Sequence, residues 1–452
     1  MAHIVCITGG LKGIFNASLA LVQQLELAGH RVTYASPHDF RDAVTAQGIP
    51  YVQLEPWVLQ PVDPPMGRWQ KAWTLRQRQQ QAVEQLGVQH FAQTIQDLEP
   101  DLVLIDMEMT PHIMAGVMSG LPMALLCQFL SIWKRPDLPP INSNTLPGRG
   151  VELAWLKNGL TTWKETLQQR WQRMGLDRRS VWGCYARQIG YPFPEQFGFN
   201  QWLISYGQGQ LPILCFNALE LDFPHDPHPL MYYVGPMVYE NRQDSQVTAD
   251  THKALKQLFE KRHSHGRSLI YCGCSTFVKG NQQWLKKIME AVASRPKWDL
   301  VVGLGGQLDR DQLGTLPANV HVFSWTPQLQ VLKHADCAVI NGGINTINEC
   351  LYLGVPMLVY SLGHADQAGD AARVAYHGLG IAGDREKDTA AEIRSSMQML
   401  LTDGSYQERV DRMCDRIHHY HQENRATQVV ETLLSQRSVQ TDKTHLTALG
   451  PP

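Results

Sequence analysis

Residues 323–368, FSWTPQLQVLKHADCAVINGGINTINECLYLGVPMLVYSLGHADQA, carry several groups whose order and spacing suit one kind of ligand. A uracil ring needs a flat face and an amide partner, which Trp325 and Gln328 supply. A pyrophosphate needs close approach to backbone N–H groups. The strand CAVI ends in Asn341-Gly342-Gly343 before a helix, so those groups meet the positive end of the helix dipole. Asn345 and Thr346 open that helix, and Glu349 lies between one and two turns into it, where a carboxylate could accept from ribose hydroxyls. Asp366 and Gln367 follow the run VPMLVY, at the end where open parallel sheets bind ligands, and could hold sugar hydroxyls. Alone, each feature is more often structural; together they outline a nucleotide-sugar pocket.

Elsewhere, LVLIDMEMTPH places Asp106 at the end of a predicted strand, Glu108 two residues on, and His112 in the first turn of the next helix. A carboxylate whose pKa is raised by a like charge or a dry pocket could accept a proton from a hydroxyl. His112 at a helix start would stay neutral and basic.

This constellation resembles the UDP-sugar-dependent glycosyltransferases of the GT-B fold, including zeaxanthin and macrolide glycosyltransferase-like members. The likeness is strong from about 268 to 383 and looser from 1 to 130. It implies two Rossmann-like domains facing each other across a cleft, with the last helix crossing back to the first. It also implies transfer of a hexose, glucose first among them, from a UDP-sugar with inversion. By resemblance Trp325 stacks on the base, Gln328 contacts base or ribose, and Thr346 with the Gly342 and Gly343 amides holds the diphosphate. Glu349 then holds the ribose, Asp366 and Gln367 the sugar, and Thr276 is a hydroxyl against phosphate. Two positions depart from the pattern: Asn341 stands where histidine is usual, and Ser275 where glycine is usual. The base is a third. The family's histidine falls sixteen residues before the histidine of a Gly-His pair, here Gly29-His30, and that position is Ile14.

The loop GGLKGIFN is a weak phosphate motif, lacking the Walker lysine-hydroxyl pair, and is read as a wall of the acceptor site formed by Gly13, Ile14, Phe15 and Asn16. Asp106 leads as substitute base, with Glu108 and His112 behind it. Asp106 could instead only bind the acceptor, with no side-chain base acting on an acceptor that ionises easily, and His364 with Asp366 is a further candidate pair. Eight of the twelve tryptophans, Trp133 among them, fall between 57 and 182. They fit amphipathic helices packed on a sheet, or a large apolar acceptor cleft. The loop WKRPDLPPINSNTLPG resembles its equivalent in zeaxanthin glucosyltransferases, which points to a lipophilic hydroxylated acceptor such as a carotenoid, terpenoid or polyketide. Peripheral membrane contact would suit such a substrate.

The elements that must position these groups follow from the apolar pattern. HIVCIT, RVTYAS, LVLID and PMALLC in the first half, and SLIYCG, DLVVGL, VHVFSW, CAVI and PMLVYS in the second, alternate with longer amphipathic segments. That is the signature of α/β parallel sheets wrapped by helices. With 452 residues the chain suits two such domains. The expected division is 1–236 for the acceptor, 237–436 for the donor and a disordered tail at 437–452, with a polar linker after MYYVGPM. A net charge of −2 gives no general attraction to nucleic acid. No run of 18 apolar residues occurs, and MAHIVCITGG enters a strand directly without a leader, so a cytoplasmic protein is expected. The nine cysteines sit mostly in apolar runs and read as reduced thiols. Cys272 and Cys274 lack the two-residue gap of a zinc knuckle, and the histidine groups fall in a polar turn, a proline-rich loop and a polar helix, so neither metal nor cofactor is expected beyond the UDP-sugar co-substrate. Other readings of the same pocket are a nucleotide-sugar epimerase and a non-catalytic nucleotide-sugar-binding protein.

Overall fold

The computed structural model describes residues 1–61, 65–130, 132–192, 211–242, 246–274, 282–306, 308–363 and 366–448, without the side chains of 263–265 and 437–448. Ser275, Thr276 and His364, named above, lie outside these residues.

Two all-parallel sheets form the frame. The first contains β1 (His3–Ile7), β2 (Arg31–Ser36), β3 (Tyr51–Gln53), β4 (Leu102–Asp106), β5 (Met123–Cys127), β6 (Ile213–Cys215) and β7 (Met231–Tyr233), in the order β3-β2-β1-β4-β5-β6-β7. The second contains β8 (Ser268–Gly273), β9 (Trp298–Gly303), β10 (Val320–Phe323), β11 (Cys337–Ile340), β12 (Met357–Val359) and β13 (Gly380–Ala382), in the order β10-β9-β8-β11-β12-β13. The central strands are apolar throughout because both faces are covered. In β1, Val5 and Ile7 enter one core while Ile4 and Cys6 enter the other, the two-residue alternation of a strand.

The helix Lys12–Leu27 follows β1 and buries Ile14, Phe15 and Leu19 against Ile4 and Cys6. Ala426, Val430 and Leu433, from the last helix, Arg425–Ala448, complete the same core. The chain therefore crosses back onto the first sheet at its end. That helix runs past the boundary at 436 read from the sequence, because the stretch beyond has neither proline nor glycine until Gly450.

Polar contacts also cross between the two sheets' layers. Arg373 donates to Asp222 at 2.7 Å, both side chains almost fully buried. Asn348 donates to Asn217 at 2.7 Å, and Asn345 to Gln128 at 2.8 Å. Removing one partner of a buried ion pair costs about 3–5 kcal/mol, because the remaining charge is stranded.

Candidate active site

The loops at the carboxyl ends of both sheets meet, and the second sheet's side carries the residues expected to hold a donor. β11 ends at Asn341. Gly342 follows with φ +80°, and a Cβ there would press on Val359 and the Gln367 carbonyl, so glycine is required. Above Gly343, which caps the helix Ile344–Tyr352, a Cβ would meet nothing within 4 Å. Backbone N–H groups at this helix start are thus open to an anion. Thr346 stands partly exposed in the first turn.

Asn341, at the position where histidine is usual, is held at both ends. Its amide donates to the Gly273 carbonyl at 2.9 Å, and its oxygen accepts from Arg385 Nη1 at 2.9 Å. Arg385 stacks on Trp284, 4.0 Å from guanidinium carbon to ring centre. Its loop is fixed by Lys287, which donates to the carbonyls of Glu386 and Asp388. Arg385 also lines a cavity with Ser361 and Gly363. A positive charge thus stands beside the residue that lacks one.

Glu349 is buried in the same helix and accepts from Arg242 at 2.8 Å and from the Gln328 amide. Gln328 in turn accepts from Tyr271 at 3.0 Å. The base and ribose candidates are therefore adjacent, with linker residue Arg242 drawn onto them. The Trp325 ring lies against Gly306, and Lys12 of the first domain stands over it at 5.0 Å.

Asn345, expected among the donor-binding residues, makes a contact between the domains. Its amide reaches Gln128 in the first domain, and a Cβ on Gly13 would collide with it. Asn345 and Gly13 thus form a contact between the domains. Glycine there lets the helix start approach the loop after β1.

Buried carboxylates of the two domains lie within electrostatic reach of each other. Asp106 ends β4, is 3 % exposed, and accepts from the N–H groups of Gly9 at 3.3 Å and Glu108 at 3.0 Å. Burial pushes its pKa up to about 6 against those two hydrogen bonds. Glu108 is raised to about 8, first by burial and then by the Asp106 charge, with Asp366 adding to it and Arg178 opposing. Asp366 is itself raised to about 6 by burial, and Asp370, one turn on, further still. Glu108 thus feels charges from both domains. Gln367 opens its helix and accepts from the Leu362 N–H at 3.0 Å.

Three acceptor-side candidates are placed elsewhere than expected. His112 is wholly buried, edge-on to Phe91 at 5.0 Å and to Trp57 at 5.6 Å, and burial drives its pKa down to about 3. It packs the core behind the cleft. Ile14 is also fully buried, and Phe15 stacks on Phe40 at 4.0 Å, since both fall on the inner face of their helix. Asn16 is partly exposed, and Trp133 stacks on His228 at 4.0 Å. The tryptophans divide: Trp155 and Trp182 are buried, whereas Trp69, Trp73, Trp163 and Trp171 are exposed.

Sequence reasoning missed four residues. Arg385 follows β13, and the rule that ligands bind at strand carboxyl ends could have found it. His38, after β2, lies against Gly10 so closely that a Cβ there would strike its ring. Arg242 and Lys12 gave no local signal. Among the described residues no three His, Cys, Asp or Glu side chains converge as metal ligands.

Two parallel sheets, with the last helix packed back onto the first, have the architecture of the GT-B fold. Residues 287–434 match the family described as "Erythromycin biosynthesis protein CIII-like, C-terminal domain". The chain is 27 % identical to oleandomycin glycosyltransferase of Streptomyces antibioticus, over 96 % of this chain and 92 % of that one. It is 23 % identical to zeaxanthin glucosyltransferase of Pantoea ananas, over 91 % of each. The solved glycosyltransferase of kitacinnamycin superposes with a TM-score of 0.68 at 22 % identity, covering 96 % of this chain and 99 % of that one.

Proposed function

We propose that this glycosyltransferase moves a hexose, glucose first among candidates, from a UDP-sugar to a hydroxyl of a small lipophilic acceptor, with inversion at the sugar carbon. The observation that carries this reading is the convergence on one cleft of the Gly342-Gly343 helix start, the Gln328–Glu349 pair and the opposed carboxylates Glu108 and Asp366. Trp325 and Gln328 take the base, Glu349 the ribose, and Gly343 with Thr346 the diphosphate. Arg385 supplies the charge that Asn341 does not. Asp366 and Gln367 hold the sugar.

In the transfer the acceptor oxygen attacks C1 from the face opposite the diphosphate, the C1–O bond to phosphate breaks, and the nucleoside diphosphate leaves. Positive groups fixed before the reaction stabilise the charge that gathers on the leaving group. Glu108 takes the acceptor proton, and Asp106, tethered by two N–H groups, keeps its neighbour basic. Glu108 is preferred because it is the more exposed of the two and feels Asp366 across the cleft. A relative of Bacillus subtilis, 22 % identical over 97 % of this chain, is named an NDP-glycosyltransferase, so the nucleobase of the donor is a point to test.

The test is an acceptor screen spanning macrolides, carotenoids and phenols, with UDP-glucose and dTDP-glucose compared, read by nucleotide release and by mass gain. Transfer from UDP-glucose to an apolar alcohol is the expected result. Donor binding without transfer to any acceptor would leave a nucleotide-sugar-binding protein, a reading that the burial of Ile14 favours. A separate observation, His38 against Gly10, supports a second base, and Asp106 lies against the adjacent Gly9.

A further inference from the structure

The helix Val151–Arg173 has two apolar faces, and only one is covered. Val151, Ala154, Trp155, Asn158 and Gly159 are buried, and Trp155 anchors that face by donating to the Leu138 carbonyl at 2.7 Å. On the opposite face Leu153, Leu156, Leu160, Trp163, Leu167 and Trp171 recur at helical spacing, each 44 % exposed or more. The short helix Arg68–Trp73 extends the patch with Trp69 and Trp73, 83 % and 88 % exposed. Arg68 joins the two helices by lying over the Trp171 ring at 4.6 Å. Isolated exposed apolar residues are ordinary, but a contiguous stripe of this kind marks an interaction surface.

The chemistry of the rim selects the partner. Lys157 and Lys164 flank the stripe on one side, Arg170 lies near its other edge, and Arg68 and Lys71 continue the basic rim on the short helix. Glu165 lies away from the stripe, lining a cavity with Arg173 and Arg178. The chain as a whole carries a charge of −2, so this cationic apolar face is local. A second copy of the chain fits it poorly. The three-four spacing from Leu153 to Leu167 would next call for an apolar residue at 170, but Arg170 stands there. The stripe instead follows the natural helix period to Trp171, which suits a flat surface better than a coiled-coil seam. Glu152, at the Arg170 edge, is the one carboxylate of this helix that flanks the stripe, too few to pair with a second copy's lysines. Leucine and tryptophan beneath, with lysine and arginine at the rim, is the composition of a helix lying in the interface of an anionic bilayer. Tryptophan suits that boundary because its ring is apolar and its N–H stays hydrated.

We propose that the exposed face of the helix Val151–Arg173, with Trp69 and Trp73, seats this protein on anionic phospholipid bilayers. No helix among the described residues is long and apolar enough to span one, so the contact is peripheral. The inference does not depend on the proposed reaction.

Flotation with vesicles tests it, using phosphatidylcholine alone and phosphatidylcholine with about one third phosphatidylglycerol, at low and high salt. The full chain is expected to float with the anionic vesicles and to be released by salt. The double variant Leu160→Gln/Trp163→Gln, at exposed positions, should keep its thermal melt and lose bilayer binding by about tenfold or more. Lys157→Gln/Lys164→Gln should weaken binding to anionic vesicles and reduce its salt dependence. Failure of the wild type to float with either vesicle overturns the proposal, as does binding unchanged in the Leu160/Trp163 variant. A concentration-dependent dimer lost in that variant, without flotation of the wild type, would identify the face as an interface between copies instead.

Discussion

Arg385→Gln removes a charge that no donor motif in the sequence contains, and its effect can be worked from the site. Arg385 reaches the Asn341 amide oxygen at 2.9 Å, beside the helix start where a diphosphate would lie. A hydrogen bond from a charged group contributes about 1.5–3 kcal/mol, which is roughly a 10- to 150-fold change in Kd. Because Arg385 is partly exposed, solvent screening places the expectation near the lower end, about tenfold. Calorimetric titration should show this loss for UDP and a change of less than about twofold for uridine, which shares the base and ribose but has no phosphate. The salt dependence of UDP binding should fall with it, since a cation facing phosphate has been removed. Adding Asn341→His to Arg385→Gln should restore part of the affinity. The reasoning fails if UDP binding is unchanged, or if uridine and UDP weaken together. A wild type that binds neither ligand would instead defeat the donor-site assignment as a whole.

Further predictions concern the carboxylates and the domain contacts. Glu108→Gln should lower kcat/KM by about a hundredfold or more, and wild-type transfer should rise with pH between about 6 and 8 as the coupled Asp106–Glu108 pair loses its protons. Asp106→Asn should move the rise to lower pH by removing the neighbouring charge from Glu108. His38→Ala should leave transfer within about tenfold if Glu108 is the base; a loss as large as that of Glu108→Gln would favour the imidazole. These raised carboxyls also set a pH dependence of stability. Unfolded carboxyls titrate near 4, and the native groups at about 6 and about 8, so the native state holds more protons in that window. Stability should fall as pH rises from about 4 to about 8, and thermal melts of Glu108→Gln should fall less steeply. Arg373→Met removes the charged partner of buried Asp222 and should cost about 3 kcal/mol by denaturant titration, well above the effect of an exposed arginine such as Arg187.

Much of the frame was legible because β1, β4, β5, β8, β9 and β11 are short apolar runs, and runs of that kind are characteristic of strands buried on both faces. The order within 323–368 was informative because one strand–loop–helix unit places its groups locally, so Gln328 and Glu349 meet across only 21 residues. Spacing does not fix which face of a helix meets another domain. Asn345 turned to Gln128, and Ile14, at the position of the usual base, turned inward. Arg242 reaches Glu349 across 107 residues and Arg385 reaches Asn341 across 44, and neither contact has a local pattern in the chain. The outward stripe of the helix Val151–Arg173 was visible only as a crowd of tryptophans, because periodicity cannot say which of two apolar faces the fold covers.

The return of Ala426, Val430 and Leu433 to the first sheet also bears on how the protein is made and dissected. A ribosome delivers the first sheet long before the residues that finish its core, so the nascent first half waits with a raw apolar flank around Phe15 and Val22 until residues 425–433 have been made. An exchange of halves between relatives that cuts once, near 236, would leave this flank facing another protein's helix. Chimeras should fold when residues 425–436 travel with the first half, making two crossovers the natural grammar for exchanging that half of this chain.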